Sequence, residues 1–286
     1  MSLDSPRPTL VITGATGFIG GALVRKASQE GFSIVAVSRG SEAAAIAGVT
    51  ALRLADYTQM PSYPSAVLIH LAEPPGLADA ANAGDRHVQA VTGILAAILA
   101  LPWRHVVYAS SVVVYGDRGM NPHRPSEPVR PIDAYARAKV TCERAVLDVG
   151  GTVLRLANIY GPGQSRGTIV ADLLAQLHAE GPLRVRNEGP ERDYLWVDDA
   201  AAGLLAAAVR QVGGVFNLAS GRIVSVRELA QRILGAAGQP SRSVESAAEP
   251  SHSRIAVDIT DTIKNFGWQP RMPLTDGICQ LVGIHR

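Results

Sequence analysis

Three glycines at intervals of three residues constrain this chain more than any other feature of its sequence. The segment GATGFIG (14–20) follows an apolar run, TLVIT (9–13), and opens a stretch with helical character. In such a turn the first glycine permits a tight bend, the second lets backbone N–H groups approach a ligand, and the third allows close helix packing. The helix N-terminus adds unsatisfied donors and partial positive charge. We therefore predict a dinucleotide pyrophosphate site formed by Gly14, Thr16, Gly17, Phe18, Ile19 and Gly20.

Short apolar runs alternate with helical patterns through the first half of the chain. The apolar runs lie at 9–13, 33–38, 66–72, 105–111 and 152–160, and the helical patterns lie at 17–31, 79–100 and from Ala134 onwards. Strands that alternate with helices predict βαβ units and a parallel sheet covered on both faces. We expect a Rossmann-type doubly wound α/β fold with a smaller C-terminal α/β region that binds the substrate.

Beyond about residue 160 the alternation of apolar runs and helical patterns becomes less regular, which suggests how the chain divides into domains. We assign residues 1–160 to the dinucleotide-binding domain and expect 192–217 to return to it. Residues 161–191 and 218–286 then form the smaller substrate-binding region. No flexible linker separates the two parts, so we expect them to share one cleft.

Composition excludes several classes of function. The chain has 286 residues, of which 47% are hydrophobic and 18% charged, an ordinary globular balance. A net charge of +2 without a long basic run does not indicate a nucleic-acid or membrane-surface partner. No apolar stretch is long enough to span a bilayer, and the N-terminus lacks a signal-peptide pattern. Cys142 and Cys279 have no ligand-like spacing, so we expect no metal site and a reducing, cytoplasmic location.

The end of the second predicted strand bears on the choice of cofactor. A carboxylate there would accept hydrogen bonds from the adenosine ribose, which favours NAD. Ser38 lacks that charge, and the guanidinium of Arg39 can bind a 2′-phosphate. Arg39 could alternatively stack on adenine or point to solvent. NADP(H) is therefore favoured, and NAD(H) remains possible.

Tyr135 and Lys139 lie four residues apart in AYARAK (134–139), on one face of a predicted helix. Such pairs are also common on solvated helix faces, so the spacing alone does not indicate catalysis. Three further segments add to it: SSVVVYG (110–116), LRLANIYGPGQ (154–164) and RDYLWVDDAA (192–201). In this order, the five motifs resemble those of the extended short-chain dehydrogenases/reductases, the NAD(P)-dependent epimerase/dehydratase family. The resemblance covers about residues 9–280.

The resemblance implies roles for individual residues. Tyr135 would be the general acid/base, Lys139 would hold the nicotinamide ribose, and Ser111 would hydrogen-bond the reacting oxygen. A nearby ammonium and the positive nicotinamide ring both stabilise phenolate, so we expect a lowered pKa for Tyr135. Further cofactor contacts are implied for Asp56, Tyr57, Leu71 and Ala72, and substrate contacts for Glu73, Ser111, Val112, Asn158 and Arg192. Asp56 could instead cap the following turn, and Arg192 could form a salt bridge.

The resemblance also narrows the reaction. Family dehydratases carry an extra acid where this chain has Val112 and Val113, so a 4,6-dehydratase is disfavoured. The favoured function is a homodimeric nucleotide-sugar 4-ketoreductase, and the alternative is a 4-epimerase with tightly bound NAD. An arginine that grips the substrate diphosphate in relatives is alanine here, in SAAEP (246–250), which leaves a smaller substrate open. An NADP(H)-sensing binding protein is the alternative from another class.

Overall fold

The computed structural model describes residues 7–40, 46–73, 80, 82–117, 119, 121–250 and 252–285. The strands in chain order are β1 (Leu10–Thr13), β2 (Ile34–Ser38), β3 (Val49–Arg53), β4 (Val67–His70), β5 (His105–Ser111), β6 (Thr152–Leu156), β7 (Asn158–Tyr160), β8 (Leu183–Val185), β9 (Glu191–Trp196), β10 (Gly214–Leu218), β11 (Ile223–Ser225), β12 (Val244–Ser246) and β13 (Arg254–Ile255). The helices are α1 (Phe18–Gln29), α2 (Asp85–Leu99), α3 (Ala134–Asp148), α4 (Ile169–Ala175), α5 (Val197–Arg210), α6 (Val226–Ala236), α7 (Thr260–Phe266) and α8 (Leu274–His285). Two short 3₁₀ helices cover Tyr57–Gln59 and Val112–Tyr115.

Seven parallel strands form the main sheet, in the order β10-β6-β5-β4-β1-β2-β3. The strand order reverses beside β1, so the loops after β1 and β4 leave a crevice at the carboxyl edge of the sheet. Helices α1 and α5 pack on one face, around Leu23 and Leu204, and helices α2 and α3 pack on the other, around Leu95 and Val146. The predicted doubly wound α/β fold is confirmed.

A smaller region covers one end of this sheet. Strands β7, β9, β11 and β13 form a mixed sheet, and β8 pairs with β12. Helices α4, α6 and α8 close its core, which includes Leu173, Leu229 and Leu281. Of the segment 192–217, α5 and β10 pack with the main sheet, whereas β9 belongs to the small one.

Two strands differ from the sequence expectation. The apolar run 152–160 is two strands, because the chain breaks at Ala157, whose N–H donates to the Leu218 carbonyl at 3.0 Å. Beyond that break, β7 pairs with β9 in the small sheet rather than with the main sheet. Strand β3 was not predicted, because it is an edge strand with mostly exposed side chains and no buried alternating face.

The glycine turn between β1 and α1 generates a prediction about stability. A Cβ at position 20 would lie 2.1 Å from the Gly14 carbonyl oxygen, whereas a Cβ at position 21 would lie 3.5 Å from the flexible end of Arg25. We expect Gly20→Ala to destabilise the fold by about 1–3 kcal/mol through overpacking. Gly21→Ala should be neutral or stabilising by up to about 1 kcal/mol, because alanine favours the helix. Urea unfolding followed by circular dichroism measures both, and equal effects would contradict this account.

Candidate active site

A cleft of about 720 Å³ lies at the carboxyl edge of the main sheet, between that sheet and the small region. Predicted residues that line it are Gly14, Gly17, Phe18, Ile19, Gly20, Leu71, Glu73, Ser111, Tyr135, Lys139 and Asn158. Val113, at which the sequence disfavours a dehydratase, also lines it, and lining residues that the sequence did not single out include Ile159, Gln164, Ser165, Thr168 and Tyr194. The cleft therefore brings the glycine turn, the Tyr/Lys helix and the small region together.

The glycine turn is built for close backbone approach. Gly14 has φ +67°, and a side chain there would meet the backbone of Ala72 at 3.1 Å. Thr13 Oγ1 ties the ends of β1 and β4 together, because it accepts the N–H groups of Leu71 and Ala72 at 3.2 and 3.3 Å. Because there is no room for a side chain at Gly14 or Gly20, the turn presents backbone to the cleft. Backbone N–H groups at the start of a helix are suited to bind a dinucleotide pyrophosphate. Thr16 is exposed and does not line the cleft in the described part of the chain.

The candidate adenosine end lies beyond this turn. Ser38 is buried at the end of β2, and Arg39 is exposed, with its guanidinium 5.9 Å from the centre of the Tyr57 ring. The Tyr57 hydroxyl accepts a hydrogen bond from the Gly14 N–H. Asp56 is exposed and caps the 3₁₀ helix that follows it by accepting from the Thr58 N–H at 2.8 Å. Capping is the alternative that the sequence left open for Asp56, and contact with adenine stays a prediction.

Helix α3 brings the Tyr/Lys pair into the cleft. The Asp133 carboxylate caps its first turn by accepting from the Ala136 N–H at 2.7 Å. Lys139 is 5% exposed, so the pair does not lie on a solvated helix face. Its Nζ donates to the Ala109 carbonyl at 2.6 Å and lies 5.5 Å from the centre of the Tyr135 ring. The hydroxyl of Ser111 hydrogen-bonds the Tyr135 phenol.

The pKa of Tyr135 moves in the direction opposite to the sequence expectation. Burial raises the pKa of this phenol, the Lys139 ammonium lowers it, and the Glu73 carboxylate raises it again. The bond from Ser111 lowers it, yet the net direction is upward. The expectation counted the ammonium together with the positive ring of a bound nicotinamide, and it omitted burial and the nearby carboxylate. Tyr135 is therefore a protonated phenol at neutral pH in this structure.

A buried polar network supports the floor of the cleft. Arg155 on β6 donates two hydrogen bonds to Glu143 on α3, at 3.0 and 2.7 Å. The Ser110 hydroxyl donates to the same carboxylate at 2.5 Å. Both side chains of the ion pair are about 5% exposed. Sequence reasoning missed Glu143, although its position one helical turn after Lys139 placed it on the same helix face.

The implied substrate residues are not all brought together. Asn158 lines the cleft and donates through its side-chain amide to the Asp193 carbonyl at 3.2 Å. Val112 is buried in a small apolar cluster with Tyr115, and its neighbour Val113 lines the cleft instead. Arg192 lies outside the lining described here, and its guanidinium donates to the Ser253 hydroxyl at 2.5 Å and to its carbonyl at 3.0 Å. The implied contacts of Val112 and Arg192 with substrate therefore have no support from this arrangement.

Among the residues that the structure describes, no group of three or more His, Cys, Asp and Glu side chains could hold a metal ion. Among the same residues, none of the helices combines the length and apolar character needed to cross a membrane.

Comparison with known proteins identifies similar chains. A family model described as the NAD dependent epimerase/dehydratase family matches residues 10–219. UDP-glucose 4-epimerase of Mycolicibacterium smegmatis is 33% identical over 199 residues, which are 64% of this chain and 63% of that protein. dTDP-6-deoxy-L-talose 4-dehydrogenase (NAD(P)(+)) of Kitasatospora kifunensis is 28% identical over 203 residues, 65% of this chain and 64% of that protein. The alignments with these two relatives thus span less than two thirds of their length.

Solved structures share the fold over nearly the whole chain. UDP-glucose 4-epimerase from Thermotoga maritima superposes with a TM-score of 0.83 at 22% identity, covering 96% of this chain and 97% of the other. MoeE5 in complex with UDP-glucuronic acid and NAD gives a TM-score of 0.82 at 25% identity, covering 96% and 98%. The predicted resemblance is confirmed by the family match and by these structures.

The buried network generates the second stability prediction. Glu143→Gln leaves the Arg155 guanidinium buried without its counter-charge, so we expect a loss of about 3–5 kcal/mol in the free energy of unfolding. Glu127→Gln is the matched control, because Glu127 is 41% exposed in its pair with His123. It should cost less than about 1 kcal/mol. Chemical denaturation of the three proteins measures the difference, and similar losses in both variants would refute the role of the buried pair.

Proposed function

The chain belongs to the NAD dependent epimerase/dehydratase family, and we propose that it reduces the ketone of a nucleotide sugar at C4 with a nicotinamide dinucleotide. The observation that carries this proposal is the placement of Tyr135 in the cleft with Ser111 and with the buried ammonium of Lys139, which lies 5.5 Å from the centre of its ring. Burial raises the pKa of the Tyr135 phenol. A phenol that holds its proton at neutral pH is suited to protonate an oxygen that gains negative charge.

The side chains of this chain divide the work of ketone reduction. When bound at the glycine turn, the reduced dinucleotide supplies a hydride to the carbonyl carbon. Ser111 orients the carbonyl oxygen through its hydroxyl, and Tyr135 donates the proton that this oxygen takes up. The Lys139 ammonium stabilises the phenolate that remains. Phe18, Ile19 and Leu71 add apolar side chains to the lining of the same cleft.

Polar residues in the lining of the cleft support a sugar substrate. Gln164, Ser165 and Thr168, from the segment before α4, add polar side chains to the cleft that Tyr135 lines. Amides and hydroxyls of this kind both donate to and accept from sugar hydroxyls. Names of the relatives include UDP-glucose and dTDP-6-deoxy-L-talose, and this supports a nucleotide sugar. Arg254, which follows the alanine that replaces the diphosphate-binding arginine of relatives, has its Nε 3.7 Å from a carboxylate oxygen of Glu191.

A 4-epimerase is the second candidate. The relative with 33% identity is a UDP-glucose 4-epimerase, and its reaction uses the same carbinol and ketone chemistry. An epimerase must also take a proton from the carbinol, which requires Tyr135 to act as a base. That base would be formed from the same Tyr135 that donates the proton in ketone reduction. Homodimerisation through α2 and α3 and a cytoplasmic location remain proposals.

The proposal predicts a large loss of turnover for Tyr135→Phe. Removing the acid should lower kcat at least about a hundredfold with a panel of nucleotide 4-ketosugars and NADPH. Tyr63→Phe is the matched control, because Tyr63 stacks on Trp103 away from the cleft, with ring centres 6.4 Å apart. Steady-state kinetics decide between the outcomes. Undiminished turnover in Tyr135→Phe would exclude the proposed acid.

We also propose that NADP(H) is preferred over NAD(H). Support comes from Ser38, which brings no negative charge to the end of β2, and from the exposed guanidinium of Arg39 beside Tyr57. Arg39→Ala should raise the KM for NADPH by roughly tenfold to a hundredfold, the value of a charge-assisted hydrogen bond to a phosphate. The KM for NADH should change less than about threefold, because NADH lacks that phosphate. Equal changes for the two cofactors would contradict the preference.

A further inference from the structure

Glu73 neutralises the lysine that the proposed function assigns to the nicotinamide end of the cleft. Its Oε1 lies 2.7 Å from Lys139 Nζ, and the two side chains are 12% and 7% exposed. The Tyr108 hydroxyl donates to the same oxygen at 2.5 Å. A pair shielded from water this far interacts more strongly than one on the surface. Lys139 thus carries a close counter-charge from the loop that follows β4.

The contacts of Lys139 limit the further hydrogen bonds that its ammonium can donate. An ammonium has three N–H donors, and here one is directed to the Ala109 carbonyl and another to Glu73. One donor is left for a ribose hydroxyl or for Tyr135. Burial by itself lowers the pKa of Lys139, but Glu73 and Tyr135 raise it, and the net direction is upward. Lys139 therefore stays charged while Glu73 cancels much of its field.

The groups that face Tyr135 and Lys139 come from several elements of the fold. They are Glu73 after β4, His70 on β4, Tyr108 and Ser111 on β5, and Asp133, Cys142 and Glu143 on or beside α3. Burial lowers the pKa of His70 to about 4 and raises the pKa of Cys142 to about 11, so both are neutral at pH 7. Burial also raises the pKa of Tyr108.

Few of the remaining groups around Tyr135 and Lys139 carry a charge. Glu143 is paired with Arg155, and the Asp133 carboxylate is hydrogen-bonded at the start of α3. Burial is the largest cause of the raised pKa of Tyr135, and the charges that act on this phenol beside burial are mainly the positive one of Lys139 and the negative one of Glu73. Only the first of these stabilises phenolate.

We propose that Glu73 is a positioning residue that holds Lys139 in place and offsets its charge, so that Tyr135 holds its proton more tightly than the lysine alone would allow. This proposal rests on the proposed function for the roles of Lys139 and Tyr135. It differs from the role of a substrate contact, which the family resemblance implied for Glu73. Glu73 acts through Lys139 and Tyr135, and its removal changes their titration rather than substrate affinity.

A spectroscopic titration tests this without any substrate. The pH-dependent phenolate absorbance of the wild-type chain minus that of Tyr135→Phe isolates Tyr135, and the same subtraction is made in a Glu73→Gln background. We expect Glu73→Gln to lower the apparent pKa of Tyr135 by about one unit, the effect of removing one nearby like charge. Glu73→Asp should keep it close to that of the wild type. No shift, or an upward shift, in Glu73→Gln would overturn the proposal.

Two further variants serve the titration of Tyr135, one as a control and one as a substitute for Glu73→Gln. Glu245→Gln is the matched control, because it makes the same chemical change at a side chain that is 59% exposed in the small region. It should leave the titration of Tyr135 unchanged, and a shift equal to that of Glu73→Gln would overturn the proposal. If Glu73→Gln does not fold, Glu73→Ala removes the same charge, and the same downward shift is required of it.

Kinetics then separate positioning from substrate binding. For ketosugar reduction, the loss of kcat at high pH should move about one unit lower in Glu73→Gln, while the KM for the ketosugar changes less than about threefold. A rise in KM without movement of the pH profile would assign Glu73 to the substrate and overturn the proposal. If no ketosugar is turned over, the proposed function fails, and the titration still decides the role of Glu73.

Discussion

The close approach of two backbone segments at the start of α1 is the constraint on which the site depends. Because Gly20 has no Cβ, the first turn of the helix can rest against the Gly14 carbonyl. Thr13 then joins the ends of β1 and β4 through the N–H groups of Leu71 and Ala72. This contact brings Glu73, immediately after Ala72, to the wall of the cleft. The absence of side chains at Gly14 and Gly20 thus influences where the Glu73 carboxylate lies, just after the neighbouring strand β4.

Electrostatics in the cleft follow from that placement. Helix α3 presents Lys139 to the space between Glu73 and Tyr135, and the Ala109 carbonyl fixes its ammonium. The Glu143–Arg155 pair below joins α3 to β6 and limits how far the helix can shift. The ammonium by itself would favour phenolate. Burial and the carboxylate outweigh it, and the site retains a protonated phenol.

Much of this arrangement follows from local sequence, and the remainder depends on tertiary contacts. The glycine spacing predicted the turn, and β-branched runs predicted five positions in the main sheet, because both reflect backbone geometry and burial. Strand β3 escaped prediction because its exposed edge lacks a buried face. The division of 152–160 depends on a hydrogen bond from Ala157 to Leu218, sixty-one residues away, which no local pattern contains.

The same distinction applies to the site. Tyr135 and Lys139 could be paired from helical spacing, and their shared helix face is present in the structure. The direction of the Tyr135 pKa could not be predicted, because Glu73 lies sixty-two residues before Tyr135 in the sequence and reaches it only through the fold. The burial of Val112 and the bonds of Arg192 to Ser253 likewise depend on packing between distant segments.

Transfer of deuterium from the nicotinamide to the sugar tests most directly whether this chain reduces a 4-ketosugar. The chain would be incubated with a nucleotide 4-ketosugar and NADPH that carries deuterium at the transferable position of its nicotinamide. Ketone reduction predicts a product alcohol that is one mass unit heavier than the unlabelled one, with the deuterium on C4 by NMR. A 4-hydroxyl product without deuterium, or no product with any ketosugar in the panel, would contradict this account.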